Sequence, residues 1–112
     1  MPITTPNYAN LNYEEMAATI GLKAKHIPLL IGSFLEEATP ILEKLRIAIQ
    51  NREYEVIQHA AHSLKGSAGN LRFTELYEMA KEMEHAGANA EETFAYMDYL
   101  SAIEKAIGTI DK

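Results

Sequence analysis

The sequence predicts an all-α fold, an up-down-up-down antiparallel four-helix bundle with a short N-terminal capping helix. Three observations lead there. The inventory favours helices, with 16 Ala, 14 Glu, 11 Leu and 7 Lys against a single Val, and it supplies strands poorly. Four segments of roughly 13 to 27 residues carry apolar positions at steps of three and four. Short connections join those segments, which makes each helix pack antiparallel to the next.

Residues 1–11 hold Pro2, Pro6 and two Asn and read as an extended lead-in. Residues 12–112 form one domain, all that 112 residues have room for. Asn12 is placed as an N-cap with Glu15 three residues on, so a short helix runs from Tyr13 to about Ile20 and stops at Gly21.

The second segment, from about Lys25 to Asn51, carries Ile27, Leu30, Ile31, Phe34, Leu35, Ala38, Ile41, Leu42, Leu45, Ala48 and Ile49 on one stripe. Its length is about 40 Å at ~1.5 Å per residue. Pro28 suits a first turn, whereas Pro40 is expected to kink the helix near Glu36–Glu37.

The third segment spans about Glu53 to Phe73, with Ile57, Ala60, Ala61, Leu64, Ala68 and Leu71 inward. The fourth takes Thr74 as N-cap, carries Leu76, Met79, Ala80 and Met83, and ends at Gly87. The fifth runs from about Glu91 to Ile110 with Phe94, Met97, Leu100, Ile103, Ile107 and Ile110 inward.

Composition narrows the function. There is no cysteine, hence no disulfide framework, thiolate metal site or cysteine nucleophile. Ten basic residues face 16 acidic ones, net −6, and no Lys/Arg cluster exists. That argues against nucleic acid and against an anionic membrane surface. No apolar run approaches ~18 residues, and the N-terminus lacks a signal-peptide pattern, so the cytoplasm is the expected compartment. A monomer is expected.

The third helix is the anomaly. With its core stripe at 0° and about 100° per residue, His62 falls at ~140°, Lys65 at ~80°, Gly69 at ~120° and Gly66 at ~180°. All four share an outward sector. A mid-helix Gly costs about 0.8–1 kcal/mol relative to Ala, so the pair gives up about 2 kcal/mol. On an exposed face the reason left is that something must approach the backbone beside His62. Neutral imidazole, the form that prevails at pH 7, is a nucleophile. Lys65, one turn on, is placed to set an ammonium over an anion carried by that ring. An exposed imidazole, a cation and a cleared approach suit the carriage of a phosphoryl group.

The stretch Ala61-His62-Ser63-Leu64-Lys65-Gly66-Ser67-Ala68-Gly69-Asn70-Leu71 resembles the signature of histidine phosphotransfer (HPt) domains, AHxLKGSAxxL. Phe34, the Leu42/Leu45 pair and the Met83-Glu84 step agree with further positions, so the resemblance covers roughly residues 10–110. It implies a four-helix bundle whose exposed His exchanges a phosphoryl group with the Asp of response-regulator receiver domains. His62 then corresponds to the phospho-acceptor through Nε2 and Lys65 to the partner of the phosphate. Gly66 corresponds to the small residue that admits the receiver, with Gly69 clearing the same approach. Glu84 stands at the offset where some members hydrogen-bond the other ring nitrogen and orient the imidazole.

One departure is Arg72, where many members have Gly. It either adds positive potential near the phosphate or tunes partner choice. The resemblance implies no cofactor of the domain's own, Mg²⁺ in the partner receiver, and a hybrid sensor kinase as a further partner. No nucleotide-binding motif accompanies it, so autokinase activity is not expected.

Leu29 and Gly32 lie off the core stripe of the second helix. Two placements stay open for them, under the first helix or in the docking patch. The chain runs from Met1 to shortly past the last helix, and a free-standing shuttle is expected over a fragment of a hybrid kinase.

Two rival readings stand beside this one. Glu82-x-x-His85 and His59-x-x-His62 have helical metal-ligand spacing, but a di-iron bundle needs two Glu-x-x-His units and two more inward acids. The other rival is a bundle that docks receivers without relaying phosphate.

Overall fold

The computed structural model describes residues 3–110. Met1 and Pro2 of the lead-in, and the last two residues of the domain, lie outside the described residues. The elements are α1 (Tyr13–Ile20), a single 3₁₀ turn (Ala24–His26), α2 (Ile27–Gln50), α3 (Tyr54–Asn70), α4 (Thr74–Ala88) and α5 (Tyr96–Gly108). There is no strand among the described residues. Helices α2 to α5 pack in a ring, α2 on α3, α3 on α4, α4 on α5 and α5 back on α2, with α3 and α4 the most intimate pair. This is the predicted bundle, with α1 laid against the 3₁₀ turn and the start of α2. The long dimension is 42 Å, close to the roughly 36 Å that 24 helical residues of α2 span at ~1.5 Å each.

The core follows the stripes. Ile27, Ile31 and Leu45 of α2, Ile57 and Leu64 of α3, Leu76, Met79 and Met83 of α4, and Leu100 and Ile103 of α5 are fully buried. Asn12 caps α1 by accepting from the Glu15 N–H at 3.0 Å. The lead-in is pinned at Tyr8, whose N–H donates to Thr109 Oγ1 at 2.8 Å. The Tyr8 ring lies 4.5 Å from that of Phe73, which in turn meets Phe34 edge-on at 5.5 Å. The extended lead-in thereby closes one end of the bundle by aromatic packing.

Within α2 the helix continues past Pro40, and three boundaries elsewhere are corrected. Pro40 and Glu36 both lie on the exposed side, so the carbonyl that proline leaves without a donor is open to solvent. Thr74 is the first helical residue of α4 and not its cap. Phe73 takes that place because its own carbonyl accepts from Tyr77 N–H at 2.9 Å. α4 runs past Gly87 to Ala88.

α5 begins at Tyr96 and not near Glu91. The Glu91 N–H closes the end of α4 on Ala86 O at 3.0 Å, so Glu91 belongs to the preceding helix. Phe94 then packs among Tyr96 and Tyr99, with ring centroids 4.9 and 4.5 Å away. Starting the helix later turns Met97 outward, 41% exposed, and brings Tyr99 inward in its place.

Helices α1 to α4 end alike. In each, a residue just beyond the helix closes on the carbonyl five back, as in Leu22 on Ala17, Glu53 on Ala48, Phe73 on Ala68 and Glu91 on Ala86. The residue just before it is left-handed. That is Gly21 at the first end, but Arg52, Arg72 and Ala90 at the others, with φ of 55°, 61° and 49°.

Candidate functional site

α3 places His62 on the surface, its side chain 64% exposed. The core stripe of α3 fixes this orientation, since Ala61 and Leu64 on either side are fully buried. Gly66, one turn on, is exposed, and a Cβ added there would meet nothing within 4 Å. Of the two glycines singled out in the sequence, this one lies open as expected.

Gly69 does not. An added Cβ would stand 3.1 Å from Cδ1 of Tyr77 on α4. The outward sector of α3 is therefore split. His62 and Gly66 face solvent, while Lys65 and Gly69 form the rim of a seam against α4. The expectation that Gly69 is open is corrected: its small size has a packing reason.

The two helices come this close because of Gly87, which the sequence reading took for a helix end. A Cβ at Gly87 would lie 2.9 Å from Gln58 N and 3.0 Å from Tyr54 O. Backbone meets backbone there. The same antiparallel register sets Tyr77 opposite Gly69 and Glu84 opposite His62.

Glu84 reaches across the seam to both polar residues. His62 Nδ1 is 2.7 Å from Glu84 Oε2, and Lys65 Nζ is 2.7 Å from Glu84 Oε1. Both Lys65 and Glu84 are largely shielded, their side chains 22% and 20% exposed. Burial pushes the Glu84 carboxyl up, but the hydrogen bonds from Lys65 and His62 outweigh it and leave its pKa below the ordinary value. The hydrogen bond to Glu84 raises Lys65.

A carboxylate can only accept. The neutral His62 ring therefore carries its proton on Nδ1 and donates it to Glu84, leaving the Nε2 lone pair toward solvent. In the unphosphorylated chain the Lys65 ammonium is directed at Glu84.

Arg72 ends the helix rather than lining the acceptor. Its left-handed backbone explains why glycine suits that position. Its Nη1 donates to Gly69 O at 3.0 Å. Leu29 is 72% exposed, so α1 does not cover it, and Gly32 is exposed as well. His59 is exposed and 3.8 Å from Glu55 Oε1. Among the described residues no group of three or more His, Asp or Glu is placed to hold a metal ion. No helix there is long and apolar enough to cross a membrane.

The sequence offers no sign of Tyr77, and it shows Gly87 as a helix end and not as a point of contact between helices. A helix wheel reports one helix at a time, and both residues matter through the approach of two. Glu84 was found through the resemblance alone.

Comparison with known proteins places these features in context. The family model described as "Hpt: Hpt domain" matches residues 29–111, which includes α3, α4 and every residue of the seam. No curated protein and no solved structure matches the chain.

Proposed function

The chain belongs to the Hpt domain family, and from that premise we propose that it carries a phosphoryl group on Nε2 of His62. Histidine phosphotransfer in two-component signalling is what the family implies. The observation that carries the residue assignment is the bond from His62 Nδ1 to Glu84 Oε2 at 2.7 Å, which leaves Nε2 as the nucleophile beside an open Gly66.

The proposed step is a phosphoryl exchange with the acyl phosphate on a receiver Asp. The Nε2 lone pair attacks phosphorus, the P–O bond to the Asp carboxyl breaks, and that carboxylate leaves with the bonding pair. The proton on Nδ1 stays where it is, so the ring gains positive charge that Glu84 offsets. The return step reverses the same bonds. Mg²⁺ belongs to the receiver, which holds the metal that offsets charge on the phosphoryl oxygens. Helix α3 presents its nucleophile from a rigid element, and open space at Gly66 admits the partner. The exposed Leu29 and Gly32 on α2 are proposed as part of the surface the receiver covers.

The test is incubation with a panel of phosphorylated receivers. Label is expected on the chain, labile in acid and stable in base as for a phosphoramidate. His62→Gln is expected to abolish it with the helical signal and Tm retained. Label that persists in this variant moves the acceptor to another residue, with His59 the next to be tested. A chain that binds receivers and never takes label is a docking module instead.

A further inference from the structure

The unphosphorylated site is balanced by one carboxylate. Glu84 holds the Lys65 ammonium on Oε1 and the His62 N–H on Oε2. A phosphoryl group brings close to two negative charges at neutral pH. If Lys65 turns toward that group, Oε1 of Glu84 loses its cation at a position only 20% exposed, and a shielded carboxylate without its partner is unfavourable. The hold of Lys65 on the phosphoryl group therefore depends on what replaces Lys65 at Glu84.

Lys81 fits that place. It stands on α4 one turn before Glu84, a spacing at which side chains of one helix meet. It lines the same open groove of about 640 Å³ as Lys65 and Glu84. It is exposed, and it makes no ion pair with the described residues, unlike Lys65. Glu78 and Glu82 line the groove too, yet neither holds the Lys81 ammonium within ion-pair distance. His85 adjoins Glu84 in sequence, and successive helical residues do not face each other.

We propose that Lys81 takes over Glu84 when His62 is phosphorylated, freeing Lys65 to meet the phosphoryl group. The inference rests on the reading of His62 as the acceptor. It makes Lys81 a positioning residue that acts through Glu84, without touching the phosphoryl group.

The experiment measures the equilibrium share of phosphoryl group on His62 in exchange with one receiver. Lys81→Met is expected to leave the Tm of the unphosphorylated chain unchanged and to lower that share by up to about fivefold, the scale of an exposed charge pair. Lys81→Arg restores it. In a Glu84→Gln background, which has no charge to relieve, Lys81→Met is expected to do nothing.

NMR of the Lys81 ε-methylene in the wild-type chain reads the same event without a variant and is expected to shift on phosphorylation. An unchanged share in Lys81→Met, a silent Lys81 signal, or an equal loss in the Glu84→Gln background each overturns the proposal. The last of these gives Lys81 a direct contact with the phosphoryl group. A wild-type chain that never takes label on His62 removes the acceptor reading and this inference together.

Discussion

Gly69 on α3 and Tyr77 on α4 are in contact, and a Cβ on Gly69 would stand 3.1 Å from the Tyr77 ring. Gly66, three residues earlier, has open space. Alanine should therefore separate the two. Gly66→Ala is expected to stabilise the chain by about 0.4–1 kcal/mol through helix propensity and reduced unfolded-state freedom. At Gly69 the same gain is set against crowding a half-buried ring, a cost of about 1–3 kcal/mol, and a net loss is expected. Gly66→Gln should keep the Tm and lose receiver binding and transfer. Thermal melts paired with a transfer assay decide this. A collapsed Gly66→Gln removes the open-space argument, and a fully active one removes the steric-access argument.

Gly87 governs how near α4 comes to α3. A methyl group there would stand against Gln58 N and Tyr54 O, backbone atoms that cannot swing aside as a side chain does. Gly87→Ala is expected to destabilise by at least about 1–3 kcal/mol. In whatever folds, Glu84 should be set back from His62. NMR of the His62 ring reads that directly, as weakened protection of the Nδ1 proton. A variant with wild-type stability would mean the seam closes without this contact.

Much of this was legible in the sequence, and the limits are physical. The stripe from Ile27 to Ile49 gives α2 within two residues, because one buried face dictates the period. His62 is outward because Ala61 and Leu64 are inward, again a property of one helix. The α3–α4 seam was hidden because it depends on Gly69 with Tyr77, and on Gly87 with Tyr54 and Gln58, pairs far apart in the chain. Helix ends misled for a different reason. Glycine is the usual left-handed terminator, but here Arg52, Arg72 and Ala90 take that conformation, so Gly87 was mistaken for a stop.

Those ends predict stabilising changes. A left-handed non-glycine residue is disfavoured by about 1–2 kcal/mol, partly offset by the greater freedom of glycine in the unfolded chain. Ala90→Gly is expected to gain about 0.5–1 kcal/mol, visible as a higher urea midpoint at unchanged m. Arg72→Gly should gain less, because it also removes the bond from Arg72 Nη1 to Gly69 O. Equal or lower stability in Ala90→Gly would show that φ of 49° carries little strain at this turn.

Glu84 should register in acid. Its pKa is held below the ordinary carboxylate value when folded, so on acidification the unfolded chain takes up this proton first. The stability Glu84 contributes is thus present above the ordinary range and is lost as pH falls through the lowered value. As pH falls from above the ordinary carboxylate range through the lowered value, the wild type is expected to lose more stability than Glu84→Gln, the two converging below it. Parallel curves across that window would mean that Lys65 and His62 do not hold the carboxylate charged.

Lys65 tests whether the acceptor needs a cation or only a tautomer. In the resting chain Lys65 is paired with Glu84 and not with the His62 ring, so Lys65→Ala should leave the Nδ1 bond in place and lower the Tm modestly, since Glu84 loses a cation at a shielded position. Glu84 would lose one of its two hydrogen-bond donors and its carboxyl would rise toward the ordinary value. If Lys65 moves to the phosphoryl group during transfer, its loss falls on the step where charge builds at phosphorus. A slowing of the order of tenfold is then expected, with the unphosphorylated fold intact. Lys65→Arg should recover part of the rate, since charge is kept while the reach and shape of the head group differ. An unaltered transfer rate in Lys65→Ala would make Lys65 a partner of Glu84 alone, with the ring orientation and the open space at Gly66 sufficient for transfer.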